Sequence, residues 1–395
     1  MDKTKKKLLI AVHRLDTGGV QRALLSALRA IDYDLYDVTL YIRKDSVALL
    51  PEVDGRVGKV IVNRDRTHYY RRPRAAALYA LVRLMTLFGK EAAGVSEKLN
   101  GYITECRIKN ERERYFSGGE SYDIAVSYIQ GQTARFVADN VKADRKIVFY
   151  HGSTDSRHAL HEAVFPCYDR IVAVNEGCAR ILRELYPSQA DKITFIENFV
   201  DPDEVREKAK EYEPPRHEGK TVLCSCGRFT EEKGFDLALE AAAELKKSKM
   251  PFVWYFIGDG KLRGDLEKQR DALGLTDAIV FTGMLENPYP YIAGCDIYVQ
   301  PSYEESQGLA AAEAQILLRP VAATDTVGAR SMIRDGETGL ISRTDAASLA
   351  GAIIKLHEDR GLYEKIVNDL KNVDHKEKEE VFRAAWRDLL SFDRG

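Results

Sequence analysis

Cysteine is scarce in this chain of 395 residues: six, at Cys106, Cys167, Cys178, Cys224, Cys226 and Cys295, most of them in apolar surroundings. That scarcity argues against a disulfide framework and fits reduced thiols in a cytoplasmic protein. Cys224 and Cys226 are spaced C-x-C, which on a strand puts both on one face and fits packing better than a zinc site. Long apolar runs are missing too. No stretch of 18 apolar residues occurs, so no membrane-spanning helix is expected. The apolar run behind the basic start MDKTKKK is too short for the core of a signal peptide. A strong charge of one sign is also lacking: 59 Lys+Arg against 61 Asp+Glu leaves −2, and the whole-chain balance points to no particular partner. There is no short-period repeat and no low-complexity tract.

What remains is ordinary globular composition, 45% hydrophobic and 30% charged, over a length that suits two domains. The halves differ in charge. Residues 1–200 carry 32 basic against 25 acidic residues, and residues 201–395 carry 27 against 36. The basic excess fits a first half that faces something anionic, and equally fits scattered solvated charge.

Short Val/Ile/Leu-rich runs alternate with helical periodicity. Strands are predicted at 7–12, 38–42, 59–62, 123–127, 146–150, 170–174 and 193–196, with helices between them such as 20–31, 75–88 and 177–186. Residues 201–220, polar and carrying three prolines, read as a linker or domain boundary. The alternation then restarts, with strands at 221–225, 252–257, 279–281, 296–299, 321–323 and 339–341 and helices at 235–247, 262–273 and 309–317. Near-continuous apolar strands between helices imply parallel sheets covered on both faces. The expected class is α/β, two doubly wound Rossmann-like domains facing a deep cleft, with ligands beyond the carboxyl ends of the strands.

The loops after the strands carry the chemistry. Thr17-Gly18-Gly19 opens a helix, so backbone amides and the positive helix end suit a phosphate, though Gly-Gly also makes ordinary turns. It is not the G-x-G-x-x-G of a nicotinamide dehydrogenase. Gly227-Arg228-Phe229-Thr230-Glu231-Glu232-Lys233-Gly234 places Arg228 and Lys233 to converge on one anion, fixed cations in place of a metal. Gly258-Asp259-Gly260 reads as a structural turn, and the backbone at Gly283 and Met284 suits the edge of a nucleobase. Pro301-Ser302-Tyr303-Glu304-Glu305-Ser306-Gln307-Gly308-Leu309 then leads into an apolar helix. Glu305 is expected in the loop and Glu313 about two turns up that helix. A buried Glu needs hydroxyl or cationic partners, and two carboxylates spaced to grip separate hydroxyl sets are what a nucleotide sugar requires.

In their order and spacing these segments resemble the retaining GT-B glycosyltransferases with an E-x7-E motif, often called family 4. The resemblance covers nearly the whole chain: the Gly-Gly loop, Glu197-Asn198-Phe199-Val200-Asp201, the G-R-x-x-x-x-K-G loop, the Glu305/Glu313 pair and Asp335-Gly336-Glu337-Thr338-Gly339-Leu340. It implies that Glu305 holds hydroxyls of the donor sugar and Glu313 the ribose. It implies that Arg228 and Lys233 bind the diphosphate with amides of Gly19, Gly308 and Leu309, that Gly283 and Met284 lie near the base, and that His151 faces the sugar or phosphate. Glu305, His151, Lys233 and Arg228 are then the catalytic set. No cofactor and no bound metal are implied. Three departures fall around the donor sugar: Gln307 replaces the usual aromatic, Val327-Gly328-Ala329 the usual Gly-Gly, and Ser331 a frequent Glu. They resemble the variant found in bacterial capsule and cell-wall polysaccharide glycosyltransferases.

The implied division is an acceptor-binding domain at 1–200, a nucleotide-sugar domain at 201–375, and a helix at 376–395 that crosses back to the first domain through Val381, Phe382, Ala385 and Leu389. Residues 64–90 carry seven Lys+Arg and one acidic residue around an apolar helical pattern. They fit an anionic membrane surface that presents a lipid-linked acceptor, and equally a core helix with a solvated basic loop. No nucleic-acid module accompanies them. The expectation is a cytoplasmic, metal-independent transferase, peripheral at the inner face of the membrane if residues 64–90 bind lipid. It would move a sugar, UDP-linked by choice of the commonest base, to a glycan or lipid-linked acceptor. The rival is a non-catalytic partner subunit that keeps the fold.

Overall fold

The computed structural model describes residues 5–64, 109, 111–152 and 158–392. Among the described residues, thirteen strands fall into two parallel sheets. The first holds β1 (Lys6–Val12), β2 (Tyr36–Ile42), β3 (Lys59–Val62), β4 (Ser121–Ser127), β5 (Lys142–Tyr150), β6 (Arg170–Ala173) and β7 (Ile193–Phe195), in the order β3-β2-β1-β4-β5-β6-β7. The second holds β8 (Thr221–Cys226), β9 (Phe252–Ile257), β10 (Ile279–Gly283), β11 (Ile297–Gln300), β12 (Val321–Thr324) and β13 (Gly339–Ser342), in the order β10-β9-β8-β11-β12-β13. Each sheet starts in its middle and is wound outward in both directions. The strand order therefore reverses between β1 and β4, and again between β8 and β11. Loops at such reversals splay apart and leave a crevice at the carboxyl ends.

The sequence explains the layering. All six residues of β9, FVWYFI, are buried, because helices cover both faces of the sheet. On one face Trp254 and Phe256 pack with Phe235, Leu239, Leu245 and Ile353. On the other, Tyr255 and Tyr298 pack with Tyr289, Ala311 and Ala314. The helix Phe235–Lys247 lays Phe235, Ala238, Leu239, Ala242 and Leu245 on the sheet and buries Leu237 and Ala241 as well, so its apolar face is broad.

Contacts divide the chain into two compact units: Met1–Tyr150, Arg157–Val172 and Leu390–Gly395 in one, His151–Ser156 and Ala173–Leu389 in the other. The segment at 201–220 is more ordered than a linker. Pro202–Lys208 is a helix, capped by Asp201, whose carboxylate accepts from the amides of Asp203 at 3.0 Å and Glu204 at 3.2 Å. An Asp cap followed by Pro is a strong start signal, and here it outweighs the charge-rich composition.

The last helix runs His375–Ser391. Its buried stripe is Phe382, Trp386, Leu389 and Leu390, at the i, i+4, i+7, i+8 spacing of one helix face. Val381, expected in that stripe, is 63% exposed, because it lies one residue, about 100°, off it. Phe382 stacks on Phe199 at 5.8 Å within the second unit. The helix's final carbonyls belong to the first unit. Leu390 O accepts from Tyr36 Oη and from Arg145 Nη2, each at 3.0 Å, and Arg145 Nη1 donates to Phe392 O.

Cys178, Cys224 and Cys295 are buried, Cys226 is half-buried and Cys167 is exposed, all as free thiols. Among the described residues no helix is long and apolar enough to cross a membrane. Apart from Arg64, the basic stretch at 64–90 lies outside the described residues, as does Cys106.

Candidate functional site

The second sheet's reversal point carries most of the candidate residues. After β8 the chain runs through Gly227 and Arg228 into a short 3-10 turn, Glu231–Lys233, then Gly234. Phe229 is fully buried and its amide donates to Asp259 O at 3.0 Å, so the loop is anchored beneath its exposed residues. Gly234 has φ +64, and a Cβ there would lie 2.0 Å from Pro301 O. No other residue fits this close approach. It brings Lys233 against the loop that follows β11, and the amides of Tyr303 and Glu304 fasten the two loops by donating to Glu232 O at 2.9 and 3.2 Å.

Lys233 Nζ lies 2.7 Å from Glu305 Oε2, with the side chains 27% and 12% exposed. Gln300, the last residue of β11, donates from Nε2 to Ser302 Oγ at 2.7 Å and to the same Glu305 oxygen at 3.4 Å. Glu305 Oε1 takes no hydrogen bond among the described residues. Arg228, at the start of the loop that carries Lys233, is exposed and forms no ion pair among them. Among the described residues the site therefore offers one cation without an ion pair, one paired cation and one carboxylate oxygen without a hydrogen bond.

The backbone around Glu305 is braced from behind. Glu305 O accepts from Gly328 N at 2.9 Å, and a Cβ on Gly328 would meet Glu305 Cγ and Gln307 N at 2.9 Å each. Asn175 is fully buried. Its amide nitrogen donates to Ser306 O and to Ser331 Oγ, and its oxygen accepts from Cys178 N at 2.8 Å. Burial holds the Cys178 thiol up at about 11; the Asn175 hydrogen bond opposes this and the Glu305 charge adds to it. Gln307 is turned onto Asn198: its Oε1 accepts from Asn198 N and Nδ2, and its Nε2 donates to Asn198 O at 3.1 Å. The polar replacement for the usual aromatic thus ties the loop to residues 196–200.

Gly308, at φ +78, opens the helix Leu309–Ile316, which has no capping side chain and no acidic residue in its first turn. Glu313 is the fifth helical residue, one turn in rather than two. It is 8% exposed, and its Oε1 accepts from Tyr289 Oη at 3.0 Å, which supplies the hydroxyl partner a buried Glu needs. On the neighbouring strands, Gly283 has φ +78 and its carbonyl accepts from Gly258 N at 3.0 Å, and Met284 is 61% exposed. Gly19 opens the helix Gly19–Ala30 of the first unit, and His151 stands half-buried directly after β5.

The structure thus joins Lys233, Glu305 and the Gly308–Leu309 turn in one loop system, with Glu313 a turn beyond. Sequence reasoning missed Gln300, Tyr289 and Asn175. The available signals were a polar residue ending an apolar strand and an asparagine directly after another.

Residues 206–373 match the family model described as Glycosyl transferases group 1. Among curated proteins, the chain is 31% identical over 178 residues to an alpha-D-kanosaminyltransferase of Streptomyces kanamyceticus, covering 44% of this chain and 46% of that one. It is 34% identical over 142 residues to the lipopolysaccharide core biosynthesis glycosyltransferase LpsE of Rhizobium meliloti (strain 1021), covering 36% and 41%. The chain therefore matches less than half the length of either relative. Among solved structures, Anabaena Alr3699/HepE in complex with UDP-glucose superposes with a TM-score of 0.71 at 15% identity, over 98% of this chain and 99% of that one. The two wound sheets and the superposition agree that the chain has a GT-B fold, and the group 1 glycosyl transferase similarity lies in its second unit.

Proposed function

We propose that this protein is a retaining glycosyltransferase that needs no metal and moves a sugar from a nucleotide sugar, UDP-linked, to a glycan or lipid-linked acceptor in bacterial surface polysaccharide synthesis. The observation that carries the reading is the pairing of Lys233 with Glu305 at 2.7 Å, with the second carboxylate oxygen free of hydrogen bonds and Arg228 of the same loop as Lys233 free of ion pairs among the described residues. Cations fixed where a diphosphate leaves, beside a carboxylate free to take sugar hydroxyls, suit transfer from a sugar diphosphate. Glu313, held by Tyr289, would take the ribose. Residues 201–375 would hold the donor and residues 1–200 the acceptor, with Gly19 and His151 as further candidate donor ligands. In the transfer the bond from the sugar's anomeric carbon to the diphosphate oxygen breaks. A bond from that carbon to the acceptor oxygen forms on the same face, and the acceptor's proton passes to the leaving diphosphate. Catalysis would come from positioning and charge stabilisation. A UDP-glucose-bound relative by fold and a lipopolysaccharide relative by sequence support the donor and the pathway.

Calorimetry with UDP, GDP and ADP in EDTA, on the wild type and on Glu313→Ala, tests the donor site. Tight UDP binding that the variant loses supports it; absence of any nucleotide binding refutes it and favours the non-catalytic partner reading. Product formed from a UDP-sugar with inverted anomeric configuration would refute retention.

A further inference from the structure

We propose that Lys233 is handed over: it pairs with Glu305 when the donor site is empty and moves to the diphosphate when a nucleotide sugar binds, so that Glu305 competes with nucleotide for the same cation. The inference rests on the reading of Lys233 as a diphosphate ligand and extends it to binding order and release.

The Lys233–Glu305 pair is short and largely withdrawn from water, which makes it stronger than a surface pair. Lysine is a compact charge on a flexible stem and can change partners. Arg228 is exposed and without an ion pair among the described residues, so it meets an incoming anion without first giving up a carboxylate. Lys233 must give one up. What then keeps Glu305 in place is Gln300. Its Nε2 already lies 3.4 Å from the same Oε2 and is anchored by Ser302 Oγ at 2.7 Å. Gln300 is neutral, so a phosphate attracts it far less than it attracts the lysine. It is 7% exposed, and its Oε1 is buried without a hydrogen bond. We read it as the positioning residue that remains when the lysine leaves.

Two consequences follow. A nucleoside diphosphate alone breaks the ion pair and gains nothing at Glu305. A nucleotide sugar breaks it and brings hydroxyls to Glu305 Oε1. The pair therefore favours the loaded donor over the spent one. After transfer Glu305 has lost its sugar, and the return of Lys233 favours release of the diphosphate.

The test is calorimetry of UDP and UDP-glucose on wild type and on Glu305→Gln, which preserves shape and removes the charge. Folding is checked by thermal unfolding. Freed from its partner, Lys233 should bind UDP about fivefold more tightly, the scale of a half-buried ion pair, while the advantage of UDP-glucose over UDP shrinks. Gln300→Met should leave UDP affinity unchanged and weaken UDP-glucose. In crystals grown with UDP, Lys233 Nζ should leave Glu305 Oε2 for a phosphate oxygen. If the wild type binds UDP and Glu305→Gln binds it no better, or if the ion pair survives in the UDP complex, the handover is wrong and the donor-site reading stands. If the wild type binds no UDP, the donor-site reading itself fails.

Discussion

Replacing Arg145 by Met should destabilise the protein through the end of its last helix. Arg145 is 8% exposed, and its guanidinium donates to Leu390 O at 3.0 Å and to Phe392 O while lying 5.0 Å from the Phe392 ring centre. The last carbonyls of a helix have no partner within it, and a cation placed there satisfies them and opposes the helix dipole. Two charge-assisted hydrogen bonds contribute about 1.5–3 kcal/mol each when their loss strands buried acceptors. Leu390 O keeps one partner in Tyr36 Oη, so the expected net loss is about 2–4 kcal/mol. For a folding unit of 150–250 residues that lowers the melting temperature by roughly 5–15 °C. Calorimetric melting of the wild type, Arg145→Met, a truncation lacking residues 390–395, and the combination would measure it. If the cost flows through the helix end, Arg145→Met should add little in the truncated chain. An undiminished cost there would show that Arg145 stabilises something else, and a cost under about 0.5 kcal/mol in the full chain would refute the capping argument.

Two further outcomes are expected. Gly234→Ala should cost about 2–4 kcal/mol and most of the nucleotide affinity, because its Cβ would meet Pro301 O at 2.0 Å at φ +64. Gly219→Ala, at φ +70 with nothing within 4 Å, should cost only about 1 kcal/mol in urea unfolding, and equal costs would contradict the close-approach argument. His13 and His161 are each held near 4, below the usual 6.5: His13 by burial and then by Lys44, Arg43 and Arg14, and His161 by burial and then by His158. The unfolded chain therefore takes up protons first. Stability present above pH 6.5 should fall as pH drops toward 4. His13→Asn with His161→Phe should flatten that acid limb in urea titrations, and an unchanged slope would rule these histidines out as its cause.

Much of the architecture was legible because apolar strands in wound sheets are nearly continuous. The runs at 59–62 and 252–257 became β3 and β9 with the same ends, and the helix at 235–247 did too. Other ends moved by one to four residues. At β5 the first residues, Lys142 to Arg145, are charged and only partly apolar, so the ladder that holds them was hidden by composition. The Asp201 cap was legible in principle and was overridden by the acidic run around it. In the last helix, periodicity located the buried face but was read one residue out of phase at Val381.

The candidate site was legible as chemistry and not as geometry. Glu305, Lys233 and Glu313 stand out because charged residues at strand ends and in an apolar helix have few structural uses. What holds them is drawn from distant positions whose identities are individually unremarkable. Asn175 reaches Ser306 across 131 positions, Asn198 reaches Gln307 across 109, and Tyr289 reaches Glu313 across 24. No local period encodes such pairs, because the fold, not the spacing, brings them together. The same reasoning gives Gln307 a meaning that its place in the motif did not. Its three hydrogen bonds to Asn198 take both lone pairs of Oε1 and one of the two Nε2 protons, so one N–H is left for any other partner. Under the proposed function, discrimination among donor sugars would fall chiefly to Glu305 Oε1, while Gln307 and Asn175 hold the backbone around that carboxylate.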